Sequence, residues 1–164
     1  MSDNELFTEY NPLPGSPLHE ALTEQDNQAA GLVEVETAQG ELQRQHAAAS
    51  ATLAALRWDS SLDEGRAAAA ELPLLERLLN AAASELHRRR DEKRLHDKVV
   101  HGLASELREA QNSVNTWSRA WRITQAMLES DGRGVSQAQI ENDQAKFNEA
   151  TANLARVRSR LLGC

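Results

Sequence analysis

A heptad repeat between Leu72 and Leu128 constrains this chain more than any other feature. Apolar or tolerated side chains recur there at alternating steps of three and four for eight heptads without a slip. Leu72, Leu79, Leu86, Lys93, Val100, Leu107, Val114, Trp121 and Leu128 take position a, and Leu75, Ala82, Arg89, His96, Leu103, Ala110, Trp117 and Thr124 take position d. A sustained 3.5-residue period keeps one stripe of a helix facing a partner helix, which is the sequence form of a coiled-coil seam. A helix of that length rises roughly 85 Å at about 1.5 Å per residue. It cannot bury its own seam, so the rest of the chain has to supply the covering helices.

The flanking sequence offers two of them. Ser16-Pro17 reads as an N-cap followed by proline at the first helical position, where the missing N–H costs nothing. The helix that follows has an apolar stripe at Leu18, Leu22, Ala29, Leu32, Val35, Ala38, Leu42, Ala49, Leu53 and Leu56. Trp58-Asp59-Ser60-Ser61 interrupts it, and Ser61 with Glu64 has capping-box spacing for the next helix. Pro73 opposes a continuous helix: either a short helix hands over to a new one at Pro73 or one helix kinks there, and the heptad seam that begins at this point supports the handover. Asp131-Gly132-Arg133-Gly134 is the clearest turn, since two glycines accept positive φ. Ser136 and Gln139 repeat the capping-box spacing, and Ile140, Phe147, Ala150, Leu154, Val157 and Leu161 form a last seam.

The expected fold is therefore all-α: elongated antiparallel helical hairpins, or a coiled coil, on one long central helix. Residues 1–16 form an extended arm containing Pro12 and Pro14, and residues 17–164 one helical domain with helices at about 17–57, 62–71, 73–129 and 137–162. With 8 glycines, 4 prolines and alanine runs at 47–49, 67–70 and 81–83, nothing argues for strands.

Folding back about residue 60 pairs positions that sum to about 119, which sets Arg89 near Ala30 and Lys93 near Asp26. It brings the acidic start of the first helix beside Arg88, Arg89, Arg90, Lys93, Arg94 and Lys98. Folding about residue 133 sets Phe147 beside Trp117 and Trp121, and Leu161 near Leu107. Both covering helices then run out near His101 and Gly102. Gly31 and Gly40 are either weak points in the first helix or places of close approach.

Chemistry-bearing patterns are scarce. There is no glycine-rich phosphate loop, no HExxH pair and no cysteine cluster. His87 and Asp91 share a helix face, but two groups fall short of the three or four ligands a metal site uses. The expectation is no enzyme, no catalytic residue, no metal, no cofactor and no small-molecule substrate. A formal charge of −7 argues against general nucleic-acid binding, leaving the basic stretch 88–98 as its only candidate footprint. No signal-peptide pattern and no membrane-length apolar run is present, so a cytoplasmic or virion location is expected, without a membrane partner. Cys164, the single cysteine, reads as a free terminal thiol, the alternative being a disulfide between two chains.

What remains is protein interaction. Phe7, Tyr10 and Leu13 give the arm apolar side chains for docking on a partner, and Trp117 and Trp121 lie four apart on one helix face. The expected function is a structural or assembly module that self-associates as a homo-oligomer and docks through its arm. The composition suits a phage or bacterial assembly component such as a virion structural protein or scaffold. The alternative is a regulatory adaptor or chaperone that binds a single helical protein partner.

Overall fold

The computed structural model describes residues 10–55, 62–130 and 135–163. Its three helices are α1, Pro17–Ala55, α2, Leu62–Ser130, and α3, Gln137–Leu162. The fold is all-α, and no strand occurs among the described residues. Trp58, Ser61 and the turn 131–134 lie outside the described residues.

The helix ends follow from capping chemistry. Ser16 Oγ accepts from the His19 amide at 3.4 Å, and its carbonyl accepts from the Glu20 amide at 2.9 Å, opening α1 as expected. Ser136 caps α3 in the same way, in extended conformation with Oγ accepting from the Gln139 amide at 3.2 Å. The Gln139 side chain does not return to Ser136. It donates to Asp143 instead. Gly163 ends α3 at φ 79, the left-handed conformation that glycine adopts without steric cost.

One boundary differs from expectation. The helices anticipated at 62–71 and 73–129 are a single helix, with Pro73 inside α2. Proline removes one backbone bond and crowds the preceding turn, at a cost of about 3 kcal/mol. The alanine run before it propagates helix well, and the inward side chains Ala68 and Leu75 on either side are both buried. Packing on both flanks holds the helix through the proline. The helix likewise continues through Gly102, where a Cβ would meet nothing within 4 Å.

The chain forms two compact units, Gln25–His96 and Met1–Glu24 with Asp97–Cys164. In the first, α1 and α2 run antiparallel: Arg90 Nη2 donates to Glu36 Oε1 at 3.0 Å, and His46 Nε2 lies 3.9 Å from Glu76. A Cβ at Gly31 would sit 3.1 Å from Arg89 Nη1, so Gly31 marks close approach in a register one residue from that expected. Gly40 has nothing within 4 Å and is only a weak point.

The predicted α2 seam is the inward face here, with Leu75 and Leu86 buried and Leu72, Leu79, Ala82, Arg89, Lys93 and His96 half-buried. The inward residues of α1 are Gln25, Gln28, Leu32, Val35, Gln39, Leu42, His46, Ala49 and Leu53. They also follow a strict three-four alternation. Ala38, assigned to the stripe from sequence, is exposed, and Gln39 takes the inward place.

The second unit holds the main core. Leu18 and Leu22 from the first turns of α1 are fully buried. They pack with Val100, Ala104, Leu107 and Ala110 of α2 and with Leu154, Val157, Leu161 and Leu162 from the last turns of α3. The two covering helices thus do not merely run out beside Gly102. Their ends meet over the same stretch of α2, and position e joins the buried face at Ala104 because two helices have to be accommodated. Further along, α3 runs antiparallel to α2, with Arg158 Nη2 donating to Gln111 Oε1 at 3.2 Å and Arg160 paired with Glu106. Every residue of the predicted α3 seam is buried except Phe147, which is half-buried.

Candidate interaction surface

Trp117 and Trp121 face α3. Trp121 stacks on Phe147 with ring centroids 5.8 Å apart and planes 8° from parallel, while Lys146 Nζ lies 4.4 Å from the Trp117 ring centre. Both indoles are half-buried. Stacking and cation–π contact occupy one face of each indole.

The residues before α1 pack on the chain's own core. Tyr10 is half-buried against the cluster around Leu107, and Pro12 is buried. The Leu13 amide donates to the Leu162 carbonyl at 2.9 Å, and a Cβ on Gly163 would lie 3.5 Å from the Leu13 and Ser16 Cβ atoms. The Leu13 side chain is 47% exposed. Phe7 lies outside the described residues. Of the five partner-binding candidates, the structure brings Tyr10 and the Leu13 backbone to the end of α3, and Trp117 and Trp121 to its middle.

The basic stretch of α2 finds its counter-charges largely on its own helix. Glu85 accepts from Arg88 Nε at 2.8 Å and from Arg89 Nε at 3.0 Å, Arg88 also pairs with Glu92, and Arg94 lies 3.9 Å from Asp91. Hydrogen bonds from Arg88 and then Arg89 hold the Glu85 carboxyl down to about 2, and the same contact pushes the Arg88 guanidinium up. Sequence reasoning assigned this neutralisation to the acids of the first helix. Arg90 with Glu36 is such a cross-helix pair, but Glu85, Asp91 and Glu92 stand one turn from the arginines and reach them at no cost in register.

Three features were missed from the sequence. Asp143 is 4% exposed on the inward face of α3, accepting from Gln139 Nε2 at 3.2 Å and Asn142 Nδ2 at 3.5 Å. Arg119 and Arg122 form no ion pair among the described residues, and with Asn115, Ser118, Ile123 and Ala126 they line an open groove of about 580 Å³.

The third feature is a set of exposed apolar pairs. Among the described residues nine large apolar side chains are exposed, and six belong to one phase of the α2 heptad: Leu74, Leu95 and Ile123 at c, Leu78, Val99 and Met127 at g. They come as three separate pairs four residues apart, with Glu85, Arg88, Glu92, Glu106 and Glu109 among the c and g positions between them. The signal is present in the sequence, but the stronger a/d period masks it.

Another hollow, of about 590 Å³, is lined by Thr124, Val135, Ser136 and Gln139. Neither hollow has a carboxylate, histidine or cysteine among its described lining residues. No three potential metal ligands converge among the described residues, where His87 lies 3.4 Å from Asp91, which also meets Arg94. Among them, too, no helix is long and apolar enough to cross a membrane. No protein-family model, no curated protein and no solved structure matches the chain.

Proposed function

We propose that this chain is a non-enzymatic structural or assembly protein. On this reading it is a coiled-coil module of antiparallel helical pairs that self-associates and joins a larger assembly through its N-terminal arm. The observation that carries the reading is the exposed apolar pair Leu74–Leu78 of α2, with a like pair at Ile123 and Met127. Large apolar side chains left exposed together on one helix face mark protein contacts. Leu74 and Leu78 lie among the exposed small residues Ala67, Ala70 and Ala81, which permit close approach of another helix. Both leucines are about half exposed, so covering the remainder contributes about 1 kcal/mol each. A small, acidic, alanine-rich helical chain of this kind suits a multi-protein assembly such as a phage virion or its scaffold.

Sedimentation or light scattering tests the claim at protein concentrations on the order of tens of micromolar. The wild-type chain is expected to sediment as a multiple of 18.1 kDa. The double substitution Leu74→Ser, Leu78→Ser should return it to that mass with helicity unchanged. A wild-type monomer with intact helicity would overturn self-association, and the single-partner adaptor would then be the better reading.

A further inference from the structure

Around Leu74 and Leu78 the open side of α2 carries an ordered arc of exposed side chains. At about 100° per residue, positions 67 to 81 on this side run Glu71, Leu78, Ala67, Leu74, Ala81, Ala70, Arg77 across about 120°. An acid forms one edge, a base forms the other, and only leucine and alanine lie between.

Neither charge is answered within the chain. Glu71 and Arg77 form no ion pair among the described residues. The neighbours one turn away are uncharged: Ala67, Ala68, Leu74 and Leu75 for the acid, and Pro73, Leu74, Asn80 and Ala81 for the base. The two stand six residues apart on opposite edges, separated by about 9 Å along the axis. Elsewhere on α2 exposed arginines find carboxylates one turn away, Arg66 at Asp63 and Arg88 at Glu85 and Glu92. An unrelated helix covers the leucines without answering both edges, whereas a second copy of this face answers both by symmetry.

We propose that this face binds the same face of a second copy in a parallel two-fold contact, with Glu71 of each chain meeting Arg77 of the other. The order of charges selects the orientation. In a parallel pair each edge of one helix faces the opposite edge of its partner, so acid meets base twice. In an antiparallel pair like edges face, so acid meets acid and base meets base. Parallel register also sets Leu74 and Leu78 beside their own counterparts, and the alanines allow the two helices to approach. Arg77 leans toward the helix N-terminus, as long helical side chains do, which brings its guanidinium toward the level of Glu71. Asp63 and Glu85 lie on the same arc and close the contact at its two ends, leaving about 21 Å of helix between Ala67 and Ala81. A contact this short is weak and reversible. The inference rests on the assembly reading and adds the orientation and register of the partner.

Sedimentation equilibrium of the full-length chain at low salt measures the dissociation constant of the pair. Glu71→Arg and Arg77→Glu should each raise it about tenfold, since one substitution turns two pairs repulsive across the two-fold axis. Mixing the two variants in equal amounts should restore wild-type affinity, because one chain then presents two bases and the other two acids. Helicity should be unchanged throughout. With the single native cysteine removed by Cys164→Ser, Ala67→Cys should cross-link two chains on oxidation, as parallel register sets residue 67 against its own copy. Wild-type affinity in both single variants overturns the proposal and leaves the assembly reading standing. So does a mixture no tighter than its components, or a chain that fails to cross-link at position 67. A wild-type chain that stays monomeric at concentrations on the order of tens of micromolar removes the assembly reading and this contact together, and leaves the face to an unlike partner.

Discussion

Trp121 and Phe147, from helices that run in opposite directions, stack with centroids 5.8 Å apart and planes 8° from parallel. The contact ties α2 to α3 beyond the aliphatic cluster at Leu107 and Leu161. Phe147→Ala should lower unfolding stability by about 2–3 kcal/mol, below the range for fully buried phenylalanine because the ring is half-buried. Urea unfolding measures the loss, and the tryptophan emission should move to the red. A variant as stable as the wild type would show that the stack contributes nothing.

Asp143 occupies an inward position between Ile140 and Phe147, with amide donors rather than a cation as its named contacts. Removing a polar group from water is costly unless hydrogen bonds compensate, and the donor from Asn142 lies at 3.5 Å, the long end of hydrogen-bond distance. Asp143→Leu is therefore expected to raise the melting temperature. The same variant should pair less uniquely, since a polar residue in a helical seam selects register. A fall in melting temperature would show that the carboxylate makes a net favourable contribution.

Pro73 sits inside α2 without ending it. Pro73→Ala restores a backbone donor and removes a clash, and should stabilise the chain by up to about 3 kcal/mol. Denaturant midpoints with an unchanged slope would establish the gain. If the variant proves less stable, proline has a packing role at this exposed position.

Glu85 gives a pH signature. Its folded value of about 2 lies below the ordinary 4.5, because Arg88 and Arg89 donate to the ionised form. A lowered carboxyl value means that the contribution is fully present above the ordinary value and is lost as pH falls through the folded one. Helicity around residues 85–92 should decline as acid is added between about pH 4.5 and 2. Glu85→Gln should remove that part of the transition, and raised salt should weaken it in the wild type, since the pairs are exposed. Identical acid titrations of the two proteins would argue against the pairing.

Much of the helical plan was legible from periodicity. The a and d positions from Leu72 to Thr124 are buried or half-buried without exception, while Leu128 at the end is 37% exposed. Ser16 and Ser136 are the caps that their spacing implied. Local rules work there because a cap or a seam side chain answers to neighbours within a turn or two of its own helix.

Other features required the tertiary structure. Glutamines at 25, 28 and 39 and His46 complete the inward face of α1, yet their polarity hides the period from any count of apolar residues. Pro73 reads as a break until packing on both sides outweighs its local cost. Leu18 and Leu22 look like ordinary stripe positions, and only the meeting of α1 and α3 over Val100 and Ala104 makes them the most buried residues of the core. Of the candidate surface, the aromatic pair was evident from its i, i+4 spacing. Arg119, Arg122 and the Leu74–Leu78 face were not, because a residue becomes a binding candidate by being left uncovered, and coverage depends on where the other helices end. Periodicity and capping spacing alone locate the helices and most of their inward sides. Which of the remaining faces stay open follows only from how the helices pack, since burial is shared among segments distant along the chain.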